Sequence, residues 1–404
     1  MAVRLANRMG AVVPSAIIEI AGKARDLKAA GKDVVSLSIG VPGFTPPAHV
    51  YAAAKAAVDA DSGDYLPGRG SKPLVEAFVA GMAARGFAYG PTEVCAQVGG
   101  KGALFNLMLA LVDEGDEVVI PAPYWASYPD MVKLAGGVPV TPLATAEQNY
   151  KLTPQQLEDS LTDKTKVLIF NNPSNPTGML YTAEEIKALG DVLAKYPDVW
   201  IISDDIYDQL VFEHGVEPGG RAAQLLDSHP DLRGRLVIVQ SVSKTYGMPG
   251  WRVGFIAGPE SVAKAVTTLN SNHITSLPEV ITAAAVAALT GPQDIPAAKC
   301  AEFAGKRDTV MAALNAIPGV ICPRPQGAFY AFPDISVAFG KHHGGQLIEN
   351  DVQFCAALLD SKAVACVPGS AFGEPHAMRI SYTCPTPQLA PGLERIAQFF
   401  TELT

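Results

Sequence analysis

The sequence predicts an α/β fold, a mostly parallel seven-stranded sheet covered by helices, with a smaller α+β domain beside it. Three observations predict it. Seven short runs, residues 94–98, 117–120, 138–141, 166–170, 199–203, 236–239 and 253–257, alternate with helix-forming stretches such as 103–112, 183–195 and 278–289. The runs are apolar at almost every position, the pattern of strands buried on both faces. Residues that a core does not use gather just after them, at Gly99-Gly100-Lys101, 171–178, 204–207 and 241–244. Ligands of such sheets bind at the carboxyl ends of the strands, so these clusters mark a site.

The remaining elements follow in order. Residues 15–30 read as an apolar-periodic helix that Gly31 stops. A short strand over 34–39 ends in the corner Gly40-Val41-Pro42-Gly43-Phe44. Residues 46–294 carry the alternating pattern and predict the large domain. From 295 onward the chain offers a helix over 301–317, a strand at Gly327-Ala328-Phe329-Tyr330 and a final helix over 389–402. That segment, completed by residues 1–45, predicts the small domain. A length of 404 residues suits two units that share a core.

Composition narrows the function classes. Hydrophobic residues make up 48% and charged residues 18%, so a large apolar interior is readily buried. The net charge of −9 leaves no electrostatic footprint for nucleic acid or acidic membranes. No apolar run reaches the ~18 residues of a spanning helix, and Met1-Ala2-Val3-Arg4 opens no secretory leader. Six scattered cysteines predict free, mostly buried thiols in a reducing cytoplasm. None has metal-ligand spacing, and His342-His343, beside Gly344-Gly345, reads as a surface loop, so no metal is expected.

The chemistry centres on Ser241-Val242-Ser243-Lys244 and the following residues to Gly254. A lysine with a lowered pKa can form an imine with an aldehyde. Ser241, Ser243 and Arg252 are donors suited to a phosphate, which Arg252 can grip with two parallel N–H bonds. An aldehyde and a phosphate on one small molecule describe pyridoxal 5'-phosphate. Gly99-Gly100-Lys101-Gly102 precedes a helix-forming stretch and would let backbone N–H groups approach an anion. It lacks the third glycine of a dinucleotide-binding turn. Trp125, just past a strand, offers an aromatic face to a ring. Asn171-Asn172-Pro173-Ser174-Asn175-Pro176 forces a turn-rich path after its strand. In Ser203-Asp204-Asp205-Ile206-Tyr207 one carboxylate can face a ring nitrogen while the other caps the following turn. Arg379, in Met378-Arg379-Ile380-Ser381-Tyr382, can take a carboxylate as a fork.

Taken together these motifs resemble those of the fold-type I, class I/II aminotransferases, in that family's order and across nearly the whole chain. The resemblance implies a dimeric enzyme that uses pyridoxal phosphate to move an amino group from an L-amino acid to a 2-oxo acid. It implies that Lys244 carries the cofactor and acts as base, that Asp204 faces the ring nitrogen, and that Tyr207 and Asn175 meet the ring oxygen. Gly100, Lys101, Ser241, Ser243 and Arg252 would surround the phosphate, with Trp125 on the ring. Gly40, Trp125, Asn175 and Arg379 would contact substrate. Tyr65 would reach the phosphate of a neighbouring subunit, so that two copies share their active sites. Val41 and Gly43 depart from the family's Gly-Glu-Pro-Asp-Phe corner, which puts a polar role there in doubt. The family's distal-carboxylate arginine is absent from 269–276, and Lys101 stands where some prokaryotic relatives carry a lysine for that task. Aspartate with 2-oxoglutarate is therefore the expected pair, with aromatic or alanine donors, or β-elimination on the same fold, as alternatives. A non-catalytic domain that binds the cofactor for regulation is the reading from another class. Residues 1–45 are too few and too weakly basic to be the DNA-binding partner such modules adjoin.

Overall fold

Side chains of the central strands alternate between two apolar clusters. Leu168, Phe170, Ile201, Leu236, Ile238 and Phe255 enter one; Val167, Ile169, Ile202, Val237, Val239 and Ile256 enter the other. A period of two with both phases apolar explains the continuous runs in the sequence. The structure is a computed structural model that describes residues 4–14, 16–60, 63–212 and 220–404. Met1 to Val3 and Ser15, on which two expectations rest, lie outside the described residues.

Across the sheet the strands are Val94–Val98, Val253–Ala257, Leu236–Ser241, Trp200–Asp204, Thr165–Asn171, Glu117–Val119 and Val138–Val140. Neighbours are parallel except at Val253–Ala257, which is antiparallel to both strands beside it. Its connection to Leu236–Ser241 is the stretch 242–252, which holds only a short helix and a 3-10 turn. A parallel return would need a longer crossover. Helices Ala48–Asp59, Lys72–Ala84 and Glu279–Thr290 cover one face with Val50, Phe78 and Ala285, among others. Gly99–Leu111, Tyr128–Leu134 and Glu260–His273 cover the other with Leu107, Val132 and Val266.

A third apolar cluster joins Val35 and Leu37 to Phe303, Phe329, Ile380 and Phe399. Strand Val35–Ser36 pairs in parallel with Val364–Ala365, tying the N-terminal residues to the C-terminal ones. The opening helix runs Ala16–Ala29, and the helices expected at 301–317 and 389–402 are Ile295–Asn315 and Thr386–Thr401. The strand expected over 327–330 is reduced to Tyr330–Ala331. Gly327 and Ala328 instead pair with Leu210 and Val211 of the large sheet's flank. His342 and His343 stand on a hairpin, Lys341–His343 against Gln346–Ile348, rather than in a loop. His343 stacks on Phe399 with ring centroids 4.4 Å apart.

The glycines at 99–102 form the first turn of helix Gly99–Leu111, not a turn that precedes it. The turn is seated by contact. A Cβ on Gly254 would strike the backbone of Gly99 and Gly100, which cannot yield as a flexible side chain would. Gly254→Ala should therefore lower stability by about 1–3 kcal/mol and displace the start of that helix. Urea denaturation of the variant against the parent checks this.

Candidate active site

Three parallel strands end side by side, and their registers bring the site together. Asn171 is the Cα partner of Asp204, and Asp204 that of Val239, two residues before Ser241. A cleft at these ends is lined by Gly40, Gly100, Lys101, Trp125, Asn175, Asp204, Tyr207, Lys244 and Arg379. Nine residues singled out in the sequence thus share one cavity, drawn from seven separate stretches of chain. Ile17, Leu104, Tyr128, Asn171, Ile206 and Tyr330 complete the lining.

One end of the cleft is built for an anion. Helix Gly99–Leu111 begins there with N–H groups unused by its own ladder. Gly99 has φ +70°, and a Cβ on it would meet the Arg252 guanidinium. Arg252 donates to the carbonyls of Pro249 at 2.9 Å and Val98 at 3.3 Å, which holds it beside the glycines. The Ser241 hydroxyl lies 2.6 Å from that of Ser243 and accepts the Ser243 N–H at 2.9 Å. Ser241, Ser243 and Arg252 stand just outside the cleft lining, around this end.

The same cleft carries a carboxylate. Asp204 is buried, and Tyr128 donates to its Oδ2 at 2.6 Å. Burial pushes the Asp204 carboxyl up to about 6, while the Tyr128 bond, the Ile206 N–H and the Lys244 charge oppose the rise. Asp205 is fully buried behind the cleft and accepts from Ser203 at 2.7 Å. Burial and then Asp208 push it well above the usual carboxylate range.

Lys244 lines the same cleft and feels the charges of both Arg252 and Asp204. Its Nζ donates to the Gly40 carbonyl at 2.5 Å. Burial first, then the charges of Arg379 and Arg252, bring its ammonium down to about 7. A large fraction is the free, nucleophilic amine at neutral pH.

Arg379 is 1% exposed and has no acidic partner among the described residues. Its Nη1 donates to Asn175 Oδ1 at 3.0 Å and its Nη2 to the Ser38 carbonyl at 2.7 Å, while Nε has no partner. The guanidinium lies 4.7 Å from the Tyr330 ring centroid and 4.8 Å from that of Phe372. A buried cation held this way has the chemistry to accept a carboxylate. Tyr207 and Tyr330 are joined through their hydroxyls at 2.8 Å. Lys101, at the open side, holds its ammonium 4.8 Å from the Trp125 ring centroid. Burial and then Arg252 lower its pKa. Tyr65 stands apart from the cleft and is 86% exposed.

Sequence reasoning passed over Tyr128, Asn171 and Tyr330. Asn171 pins the site: its Nδ2 donates to the Asp204 carbonyl at 2.7 Å, and its Oδ1 accepts the Asn175 N–H at 2.8 Å. Its place at the head of the Asn-Pro motif was the available signal. Tyr330 carried none, because it reads as one more apolar strand residue.

A mostly parallel sheet with a lysine and a carboxylate at its strand ends, sharing a cleft with an arginine from the separate sheet strand Met378–Ser381, defines an enzyme site for a small anionic substrate. The chain matches the family "Aminotransferase class I and II" over residues 32–396. An aspartate/prephenate aminotransferase of Cereibacter sphaeroides is 43% identical over 402 residues, with 99% of each chain covered. An aspartate aminotransferase of Geobacillus stearothermophilus is 42% identical over 397 residues, 98% of each. The crystal structure of the aspartate aminotransferase from Rhizobium meliloti superposes with a TM-score of 0.94 at 38% identity, covering 100% of both chains. This chain belongs to the class I and II aminotransferases, and it is an enzyme of that class. Among its described residues no helix is long and apolar enough to cross a membrane.

The two shifted groups act oppositely on folding. Asp204, raised in the fold, withdraws stability as pH rises from about 4 to 6; Lys244, depressed, restores it as pH rises from 7 to 10. Cofactor-free protein should therefore have a stability trough between pH 6 and 7, each limb worth on the order of 3–5 kcal/mol at most. Urea midpoints measured across pH should show the acid limb flattened in Asp204→Asn and the alkaline limb flattened in Lys244→Met.

Proposed function

We propose that the protein is a pyridoxal-phosphate enzyme that transfers the amino group of aspartate to 2-oxoglutarate. One observation carries this reading: a buried arginine without an acidic partner shares a cleft with a lysine whose ammonium is brought down to about 7. The residues present fit the cofactor, with an anion cradle at Gly99-Gly100, an amine at Lys244 and a carboxylate at Asp204 around one cleft. When bound, pyridoxal phosphate supplies an aldehyde for the amino group and a protonated ring that takes up electrons from the Cα–H bond.

The chain's own groups have distinct tasks in this reading. The N-terminus of Gly99–Leu111, Ser241, Ser243 and Arg252 hold the phosphate. Asp204 keeps a proton at the ring nitrogen. Asn175 offers its carbonyl to Arg379, which leaves its amide N–H for the ring oxygen, alongside the Tyr207 hydroxyl. Trp125 covers the ring and excludes water. Arg379 binds the α-carboxylate, and Lys244 Nζ moves the proton from the substrate Cα. Alternating donor and acceptor half-reactions give ping-pong kinetics.

Lys101, which lines the cleft, is assigned to a distal carboxylate, a reading supported by relatives in several bacteria that bear the name aspartate aminotransferase. Tyr65, exposed on this chain, is assigned to the phosphate of a second copy in a homodimer. Residues 46–294 are assigned to one domain, and 1–45 with 295–404 to the other.

Lys244→Ala should abolish turnover while the protein still binds the cofactor through its phosphate. Absorbance spectra and single-turnover kinetics check both halves, and ordinary activity in the variant refutes the assignment. Lys101→Ala should lower kcat/KM for aspartate by roughly 10- to 100-fold and leave alanine and phenylalanine nearly unchanged. An equal loss for all donors would move Lys101 to the cofactor and leave aspartate unsupported.

A further inference from the structure

Asp204 has two carboxylate oxygens in unequal surroundings. Oδ2 accepts from the Tyr128 hydroxyl at 2.6 Å, and Oδ1 has only the Ile206 N–H at 3.4 Å. Tyr128 opens helix Tyr128–Leu134, is 2% exposed, and meets the edge of Trp125 at 5.3 Å and 84°. Its ring is locked by packing, so its hydroxyl is delivered to one place. The titratable groups that face Asp204 come from every side. Lys244 approaches from Val242–Thr245, Tyr207 and Asp205 from the turn after the strand, and Tyr128 from its own helix. Of these, only the Tyr128 side chain donates a hydrogen bond to the Asp204 carboxylate among the described residues.

We propose that Tyr128 is a positioning residue that fixes the rotation of the Asp204 carboxylate and keeps it ionised, and so sets the acid limit of the reaction. The proposal rests on the reading of Asp204 as the partner of the ring nitrogen. A hydrogen bond to a carboxylate favours its charged form, and it is the force that opposes the strong upward push of burial here. It also occupies Oδ2, leaving Oδ1, whose one hydrogen bond is the 3.4 Å contact from the Ile206 N–H, as the oxygen that would meet the ring. Without the hydroxyl the carboxyl takes up its proton at higher pH, and a neutral carboxyl cannot hold a proton on the ring nitrogen. The loss is therefore an acid-side loss. A pure packing role would weaken the enzyme equally at every pH.

Tyr128→Phe keeps the ring against Trp125 and removes only the hydroxyl. Two quantities should be measured from pH 5.5 to 9 on the full-length protein: kcat/KM of the holoenzyme, and the dissociation constant of pyridoxal phosphate from the cofactor-free protein. The variant's acid limb should move up by about one pH unit, and its cofactor affinity at pH 6 should fall roughly tenfold. Both gaps should close above pH 8. In an Asp204→Asn background the same change should produce no pH-dependent effect. If the variant folds poorly, 3-fluorotyrosine at position 128, a stronger donor of nearly the same shape, should shift the limb the opposite way. A loss uniform in pH, or unchanged limbs in both variants, overturns the proposal. Should Asp204→Asn itself leave cofactor affinity and proton transfer intact, it is the reading of Asp204 that fails instead.

Discussion

The site depends on charges held in a cleft where water screens them poorly. Arg379 is buried with its Nε unpaired and its neighbours limited to a carbonyl, an amide oxygen and two aromatic faces. A guanidinium does not give up its proton, so its field falls on whatever lies nearby. Lys244 feels that field together with that of Arg252 and its own burial, and its ammonium becomes a weak acid. Asp204 is moved the other way by burial. Lysine and aspartate thus titrate within about one unit of each other near neutral pH, which free side chains would never do. Removing these groups from water is unfavourable, and in the function proposed the stability they withdraw would make the amine reactive and the arginine receptive.

The sheet supplies the rigidity that such an arrangement requires. Strands buried on both faces admit polar residues only where they emerge, so Asn171, Asp204 and Ser241 appear at neighbouring ends. Hydrogen bonds from Asn171 then tie the Asp204 backbone to the Asn175 loop, and Asn175 in turn accepts from Arg379. The Asp204 backbone and the Arg379 guanidinium are thus joined through three hydrogen bonds. Positions are therefore set by backbone register more than by side-chain freedom.

The class of fold and much of the site were legible in the amino-acid sequence, because both depend on short-range pattern. Seven apolar runs announced strands covered twice, and the polar clusters after four of them, at 99–101, 171–178, 204–207 and 241–244, contain residues that now line the cleft. Other features were not legible. The antiparallel direction of Val253–Ala257 depends on how the connection 242–252 turns, which no periodicity records. The turn seen in Gly99-Gly100-Lys101 became helix because Gly254 and Arg252 seat it from elsewhere in the chain. Tyr128 was read past because a tyrosine at the start of a helix ordinarily fills a core.

By itself the sequence determined which residues are chemically able to act: one lysine in a serine-rich turn, adjacent aspartates and an arginine far along the chain. The resemblance named Asp204 ahead of Asp205, and the tertiary structure adds the physical reason that only Asp204 lines the cleft, since neighbouring residues leaving a strand point to opposite sides of the sheet. That structure alone brought Arg379 within reach of Lys244, across 135 positions of sequence, and left that arginine without a carboxylate. Which groups are dry, and which of them are paired, depends on packing between distant segments, and no local pattern encodes it.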